Sequence, residues 1–515
     1  MQAEPFTMTG KHTMTDSGNN TRRHFLRMAA TGTGLAALGL YLPLGTTWAT
    51  DNGKADKRGK ILVIGAGMAG LAAAWELEAA GHRVEILEAR DRVGGRVHTL
   101  RDPFSGDLHA EAGAVALSGS YVHANRYIDE LGLERADWAM PDLKPLYHLN
   151  GKRIVLDPEH PTDWPFDLTE AERKLGPQGI VERHILEHLP EGIADETRWQ
   201  DPDLLALDEF TMAEFMRRNG ASEGAVKLIG GTQWFGAFID SGSMLASAMS
   251  SFGLFGAGAP FLIAGGNDRL PQAMAGRLEA PIHLGHEVAA IEQNESGVRV
   301  RARRGGETVT FEGDHVICTA PAPVVKHFEF TPALPPAQRA AIAGIDFADT
   351  IRTYFEVDRG FWFDEGVSGM AMTDLPIEEI ASQPYSRAGG PQTPAVLESH
   401  VRGAGSKALV KRGDGLIDFV LEQIEKVHPQ IREHAGEGFY RHWGSDPHAL
   451  AAYSVPAPGQ ITRHLAKLGQ AHGRVHFAGE HTTILSATIE GALRSGARAA
   501  AEVTEAIAGR AASMQ

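Results

Sequence analysis

The residues of this chain best suited to chemistry by type and spacing are Gly65-Ala66-Gly67-Met68-Ala69-Gly70, followed by a single acid, Glu88. In a G-x-G-x-x-G turn the first glycine permits a tight bend, the second lets a diphosphate approach the backbone, and the third lets a helix lie against a strand. The N–H groups and dipole of that helix attract phosphate oxygens. An acid at the end of the next strand accepts hydrogen bonds from both ribose hydroxyls of an adenosine and repels a 2′-phosphate. The flanking pattern supplies the elements these roles need. Lys60-Ile61-Leu62-Val63-Ile64 reads as a buried parallel strand, Met68 to Ala80 as a helix, and Arg83-Val84-Glu85-Ile86-Leu87 as a second strand ending at Glu88. A bare glycine motif is weak evidence. A glycine turn inside a complete βαβ unit, closed by an acid, points to a bound dinucleotide.

At 515 residues the chain exceeds one compact core, so two intertwined domains are expected. Its 43% hydrophobic and 22% charged residues are those of an ordinary globular protein. The net charge of -16 argues against a nucleic-acid partner and favours cationic ligands. Cys318 is the only cysteine, so an internal disulfide and a cysteine-built metal site are excluded, and its place in the run Val316-Ile317-Cys318 reads as a buried structural thiol. None of the 23 histidines has H-E-x-x-H spacing; His109, His472 and His476 read as loop or strand residues, and no metal is predicted.

Residues 1–50 read as an export signal rather than as part of the fold. Thr21-Arg22-Arg23-His24-Phe25-Leu26-Arg27 precedes an apolar stretch rich in Ala and Gly, then Thr47-Trp48-Ala49, a small-residue cleavage site. The segment resembles a twin-arginine signal, which implies a protein folded with its cofactor in the cytoplasm and delivered to the periplasm or beyond. No later stretch approaches the roughly 20 apolar residues a membrane helix needs.

Glu88-Ala89-Arg90-Asp91-Arg92-Val93-Gly94-Gly95-Arg96 resembles the E-A-R-x-R-x-G-G-R segment of the flavin amine oxidase superfamily. The likeness recurs at Glu111-Ala112-Gly113-Ala114, at Ile263 to Pro271, at Glu287-Val288, at Val475-His476-Phe477-Ala478-Gly479-Glu480, and at Thr488-Ile489-Glu490-Gly491-Ala492. It implies an α/β fold in which FAD, held non-covalently, meets Gly65, Ala66, Gly67, Met68, Ala69, Gly70, Glu88, Ala89, Arg90, Gly95, Arg96, Gly113, Ala114, Val115, Val288, Glu480, Thr488 and Ile489. The last helix, opening near Ala487, would aim its N–H groups at the flavin pyrimidine ring. On this reading a Rossmann-like FAD-binding domain is assembled from 58–118, 258–330 and 456–510. An α+β substrate domain comes from 119–257, mostly helical with helices over Leu205 to Arg218 and Glu223 to Ile229, and from 331–455, with a strand over Thr350 to Val357 and a helix from Leu416 to Val427. The substrate pocket is expected where the two meet.

Three positions depart from the superfamily pattern. Where amino-acid oxidases carry an arginine that grips the substrate carboxylate, this chain has Ala116, which favours a simple amine; an arginine from the substrate domain is the alternative clamp. Tyr453, within Ala451-Ala452-Tyr453-Ser454, matches one aromatic wall before the flavin, but the facing wall is Thr488, and Ala452 stands where a flavin-bonding cysteine occurs in monoamine oxidases. Arg352 replaces the lysine that holds a water near flavin N5. Trp234 and Phe235 admit both a pocket-lining and a core reading.

The resemblance thus implies oxidation of an amine to an imine, with Tyr453 orienting the nitrogen and Arg352 near the reacting centre. Electrons would pass to oxygen or to a cytochrome or quinone, and a homodimer is compatible with the sequence. Competing readings are an L-amino-acid oxidase with a relocated clamp, a flavin dehydrogenase or desaturase, and a non-catalytic escort-type module.

Overall fold

The computed structural model describes residues 58–138, 143–157, 159–383 and 390–513, and the export-signal reading over 1–50 lies outside them. Strand Lys60–Ile64, helix Met68–Ala79 and strand Arg83–Leu87 form the expected βαβ unit. Ile61 to Ile64 are all buried because the sheet is covered on both faces, as an apolar parallel strand requires. The sheet has five strands in the order Ile282–His283, Arg83–Leu87, Lys60–Ile64, His315–Cys318, Val475–Phe477, each pair parallel. Cys318 pairs in register with Ile64, and burial pushes its thiol up to about 12, so it is the inert thiol expected. Helix Met68–Ala79 packs on this sheet and against the long C-terminal helix Ile489–Ser513.

A second sheet has seven strands in the order Ala435–His442, Thr350–Val357, Ala395–Arg402, Glu379–Ser382, Val367–Thr373, Lys144–Leu149, Lys152–Val155. Its three adjacent strands Thr350–Val357, Ala395–Arg402 and Glu379–Ser382 alternate strictly between faces. Ile351, Phe355, Leu397, Val401 and Ile380 pack with Leu409, Leu416, Val420 and Ile424 in an apolar core. The opposite face carries Thr350, Arg352 and Tyr354 on one strand, Glu398, His400 and Arg402 on the next, and Glu379 on the third, with Arg352 and Glu379 both paired in register to His400.

Several expectations need correction. Leu205 to Arg218 is not one helix: a 3-10 turn over Ala206–Glu209 ends before Thr211, which starts helix Met212–Arg218 with a capping box. Thr211 Oγ1 accepts from Glu214 N at 3.2 Å, and the Glu214 carboxylate accepts from Thr211 N at 2.8 Å. The stretch 119–257 is less purely helical than its pattern suggests, because Lys144–Leu149 and Lys152–Val155 form a hairpin on the edge of the second sheet. Helix Glu223–Thr232 runs past the expected Ile229, and helix Leu416–Glu425 stops short of Val427. Ala487 has φ +61°, so the final helix opens at Ile489 rather than at Ala487.

Candidate active site

One continuous cavity of about 850 Å³ runs from the C-terminal ends of the parallel strands to the polar face of the second sheet. At its first end Gly65, with φ +100°, donates to Leu87 O at 2.7 Å and turns the chain sharply out of the strand. A Cβ at Gly70 would lie 1.9 Å from Gly65 O, so only glycine lets the helix approach the strand this closely. Gly67 caps the helix with extended backbone and no side-chain hydrogen bond, leaving no side chain between the helix N-terminus and the cavity. Gly65, Gly67, Met68 and Ala69 line the cavity, whereas Ala66 and Gly70 do not. Ala66 acts indirectly: its N–H donates to Glu88 Oε2 at 2.7 Å, while Arg90 N donates to Oε1 at 2.9 Å, fixing the carboxylate at the cavity wall.

The second glycine turn is braced from within. Gly94 and Gly95 both have positive φ, and Arg92 folds back to donate to Val93 O at 3.1 Å and Gly95 O at 3.0 Å. Burial lowers the Arg92 pKa to about 10. Arg90 lines the cavity with its guanidinium bound to Asp446 at 2.6 Å, and Arg441 holds the same carboxylate. Ala89, Gly95 and, farther along, Val288 are also lining residues.

Deeper in, Gly113, Ala114, Val115 and Ala116 form one wall. A Cβ at Gly113 would fall 1.8 Å from Arg96 O, so this segment lies directly on the Arg96 backbone. Arg96 Nη1 donates to Glu480 Oε1 and to Ala452 O, both at 2.9 Å. Glu480 also accepts from Ser454 Oγ at 2.6 Å and Ala487 N at 2.8 Å. Burial opposes ionisation of Glu480, but Arg96, His481 and these donors outweigh it and hold the carboxyl below its ordinary range. Thr488 and Ile489 line the cavity. The Thr488 hydroxyl accepts from Gly491 N at 2.9 Å and so caps the final helix, which opens at the cavity.

The far end is bounded by the polar face of the second sheet. Arg352 Nη1 donates to Glu398 Oε1 at 2.6 Å, and Gln383 Nε2 donates to Glu398 Oε2. Arg402 donates to Glu379 Oε2 at 2.6 Å and to Glu378 Oε2 at 3.4 Å. Arg352, Glu398, His400 and Arg402 are all at most 9% exposed, yet with Glu379 and Gln383 they face the cavity. Burial raises the Glu398 pKa to about 7, with Arg352 opposing and Glu379 adding to the rise. Burial, reinforced by Arg352 and Arg402, holds His400 well below its ordinary value and so neutral. Arg352 thus stands on the cavity wall as half of an ion pair rather than as a lone cation.

Tyr453 lines this end and packs edge-on against Phe238 with centroids 6.2 Å apart. Trp234 and Phe235 both reach the cavity, but Phe235 is buried while Trp234 is 47% exposed and packs edge-on against Phe255. Trp234 therefore belongs to the mouth, and Phe235 serves pocket and core together. Among the described residues no group of three His, Cys, Asp or Glu is placed to hold a metal.

The sequence reading missed Glu379, Gln383, Glu398, His400 and Arg402. For Glu398, His400 and Arg402 the signal was present in Ala395-Val396-Leu397-Glu398-Ser399-His400-Val401-Arg402, where polar residues recur at every second position of a strand. It also missed Trp443, whose Nε1 donates to Ala112 O at 2.7 Å and holds the wall that continues to Ala116.

The cavity's chemistry fits FAD: two glycine turns and an uncovered helix N-terminus for a diphosphate, an acid for a ribose, and a second helix opening at the deep end. Relatives in sequence include L-amino-acid oxidases of Demansia vestigiata, 28% identical over 87% of both chains, and of Siganus canaliculatus, 26% identical over 86% of this chain and 85% of that one. Putrescine oxidase bound to putrescine superposes with a TM-score of 0.72 at 23% identity, over 87% of this chain and 99% of that one. Cyclohexylamine oxidase from Brevibacterium oxydans IH-35A gives 0.68 at 22%, over 88% and 100%. Among the described residues no helix is long and apolar enough to cross a membrane. The family model for flavin containing amine oxidoreductase matches residues 68–504, nearly the whole described chain, and the protein belongs to that family as an FAD-dependent amine oxidoreductase.

Proposed function

We propose that this enzyme oxidises an amine lacking an α-carboxylate. The observation that carries this reading is the state of the arginines at the substrate end. Arg352 is held by Glu398 and Arg402 by Glu379 and Glu378, so among the described residues each is already committed to a carboxylate, and position 116 is alanine. A substrate carboxylate would have to displace one of these buried ion pairs, at considerable cost. An amine enters without that competition.

FAD, when bound, would supply the hydride acceptor for the carbon beside the nitrogen. The chain orients and encloses. Tyr453, packed against Phe238, presents its ring to the nitrogen, Ala116 and Thr488 leave room beside it, and Phe235 and Phe238 keep the pocket dry. Attachment of the flavin is non-covalent at Ala452, which offers no thiol, and Cys318 lies buried in the parallel sheet. The resulting imine hydrolyses to a carbonyl compound. Reoxidation is by oxygen or, for a protein exported on the twin-arginine signal, by a periplasmic cytochrome or quinone.

Anaerobic mixing of the yellow holoenzyme with a panel of amines and amino acids tests the reading. Bleaching by amines is expected; bleaching by amino acids alone overturns it in favour of an L-amino-acid oxidase, the activity named for the sequence relatives at 26–28% identity. Oxygen or a cytochrome then added to the reduced enzyme identifies the acceptor.

A further inference from the structure

On the polar face of the second sheet Arg352 and Arg402 are interleaved with Glu379 and Glu398 at the cavity wall, and Arg441 stands in register with Arg352. A carboxylate in so buried a setting is costly unless a cation or a proton balances it. A primary amine arrives from water as an ammonium ion, with an ordinary pKa of about 10, and brings both. Its nitrogen must then lose a proton, because an ammonium has no lone pair to stabilise the carbon from which hydride departs.

Resting on the amine reading above, we propose that Glu398 is the proton acceptor for the bound substrate. The ammonium proton passes to Glu398 Oε2, the oxygen Arg352 does not hold, giving neutral amine and a neutral carboxyl whose Oε1 still accepts from Arg352; an N–H bond breaks, an O–H bond forms, and the charge of the closed cavity is unchanged. The placement supports this role. Glu398 lies on the same cavity wall as its strand neighbour Arg402 and Tyr453, the ring that meets the nitrogen. The groups facing Glu398 are Arg352 and Tyr354 from one adjacent strand, Glu379 and Gln383 from the other side, and His400 and Arg402 on its own strand. Glu379 is tied to Arg402 at 2.6 Å, and Glu378 accepts from Arg402 N at 3.1 Å. His400 is neutral through burial and the two arginines. Glu398 has only one guanidinium partner, and burial brings its pKa to about 7, where a base serves best near neutral pH.

Three measurements on the holoenzyme test this. The anaerobic bleaching rate is followed against pH with two amines of different basicity: an acid limb near pH 7 common to both is expected, and a limb that tracks substrate basicity overturns the proposal. In Glu398→Gln the rate should fall roughly 100-fold at pH 7 and recover as the pH approaches the substrate's own pKa. No loss, or an equal loss at every pH, overturns it. Binding of an amine that lacks an α-hydrogen should raise the infrared carbonyl stretch of a protonated carboxyl in the wild type and not in Glu398→Gln. Absence of that band from the wild type overturns the proposal even if the variant fails to fold. Bleaching by amino acids alone removes the premise, whereas bleaching by amines with a substrate-tracking limb leaves the amine reading standing and rejects Glu398.

Discussion

Arg96 and Glu480, 384 positions apart in the chain, meet at 2.9 Å and join the second glycine turn to the turn before the final helix. Removing Arg96 as Arg96→Met leaves a buried carboxylate with only Ser454 and backbone partners, at a cost of about 3–5 kcal/mol. The expected outcome is a fall in Tm and loss of FAD on gel filtration. The contact also has a pH signature. The Glu480 pKa is lowered in the folded state, so the stability it contributes is present above its ordinary 4.5 and is lost as the pH falls through the folded value. Acid denaturation of Arg96→Met should begin at higher pH than that of the wild type.

Glu111 runs in the opposite direction. It is fully buried, accepting from Asn267 N at 2.8 Å and Thr99 Oγ1 at 3.0 Å, and burial raises its pKa to about 8 against the opposing pull of these donors and of Arg101. The folded protein therefore retains a proton that the unfolded chain loses, and stability falls as the pH rises from about 4.5 to about 8, by up to about 5 kcal/mol. In Glu111→Gln, urea midpoints taken across that window should decline less than in the wild type. An unchanged slope would show that Glu111 is ionised in the fold.

The glycines of the first turn separate stability from cofactor binding. A Cβ at Gly67 meets nothing nearer than 4.0 Å, and its φ of -79° suits alanine, so Gly67→Ala should keep its apo-protein Tm while the methyl group weakens FAD retention. At Gly70 the new Cβ would sit 1.9 Å from Gly65 O, so Gly70→Ala should lower the Tm of the apo-protein itself. Thermal melts with and without added FAD distinguish the two.

Trp234, 47% exposed at the cavity mouth, is predicted to act on passage rather than on chemistry. Trp234→Ala should leave stability within about 1 kcal/mol. It should change KM and substrate preference by size more than the anaerobic bleaching rate at saturation. A bleaching rate that falls with KM unchanged would place Trp234 against the reacting atoms instead.

The nucleotide end was legible in the sequence because its signals are local. The turn Gly65 to Gly70, the apolar strands on either side and Glu88 all lie within one βαβ unit, and period and turn chemistry suffice to place them. Arg352 and Tyr453 were placed only through family resemblance, and the partners that define them were not. Glu398, Arg402 and Glu379 come from strands whose pairing nothing local specifies, and in the sequence each resembles an ordinary surface charge. Only the registers Arg352 to His400 and His400 to Glu379 turn three scattered alternating patterns into one buried layer. The broken helix at Thr211 was readable: Thr-Met-Ala-Glu is a capping box, and the apolar period around it concealed the stop.

The parallel sheet carries a consequence for biosynthesis. Its central strand, Lys60–Ile64, is among the first described residues to leave the ribosome, but the edge strand Val475–Phe477, Glu480 and the final helix are among the last. The flavin compartment therefore cannot close until these late elements have emerged. Until then, the apolar strands around Ile61 and Val316 are exposed to aggregation, and cofactor capture competes with it.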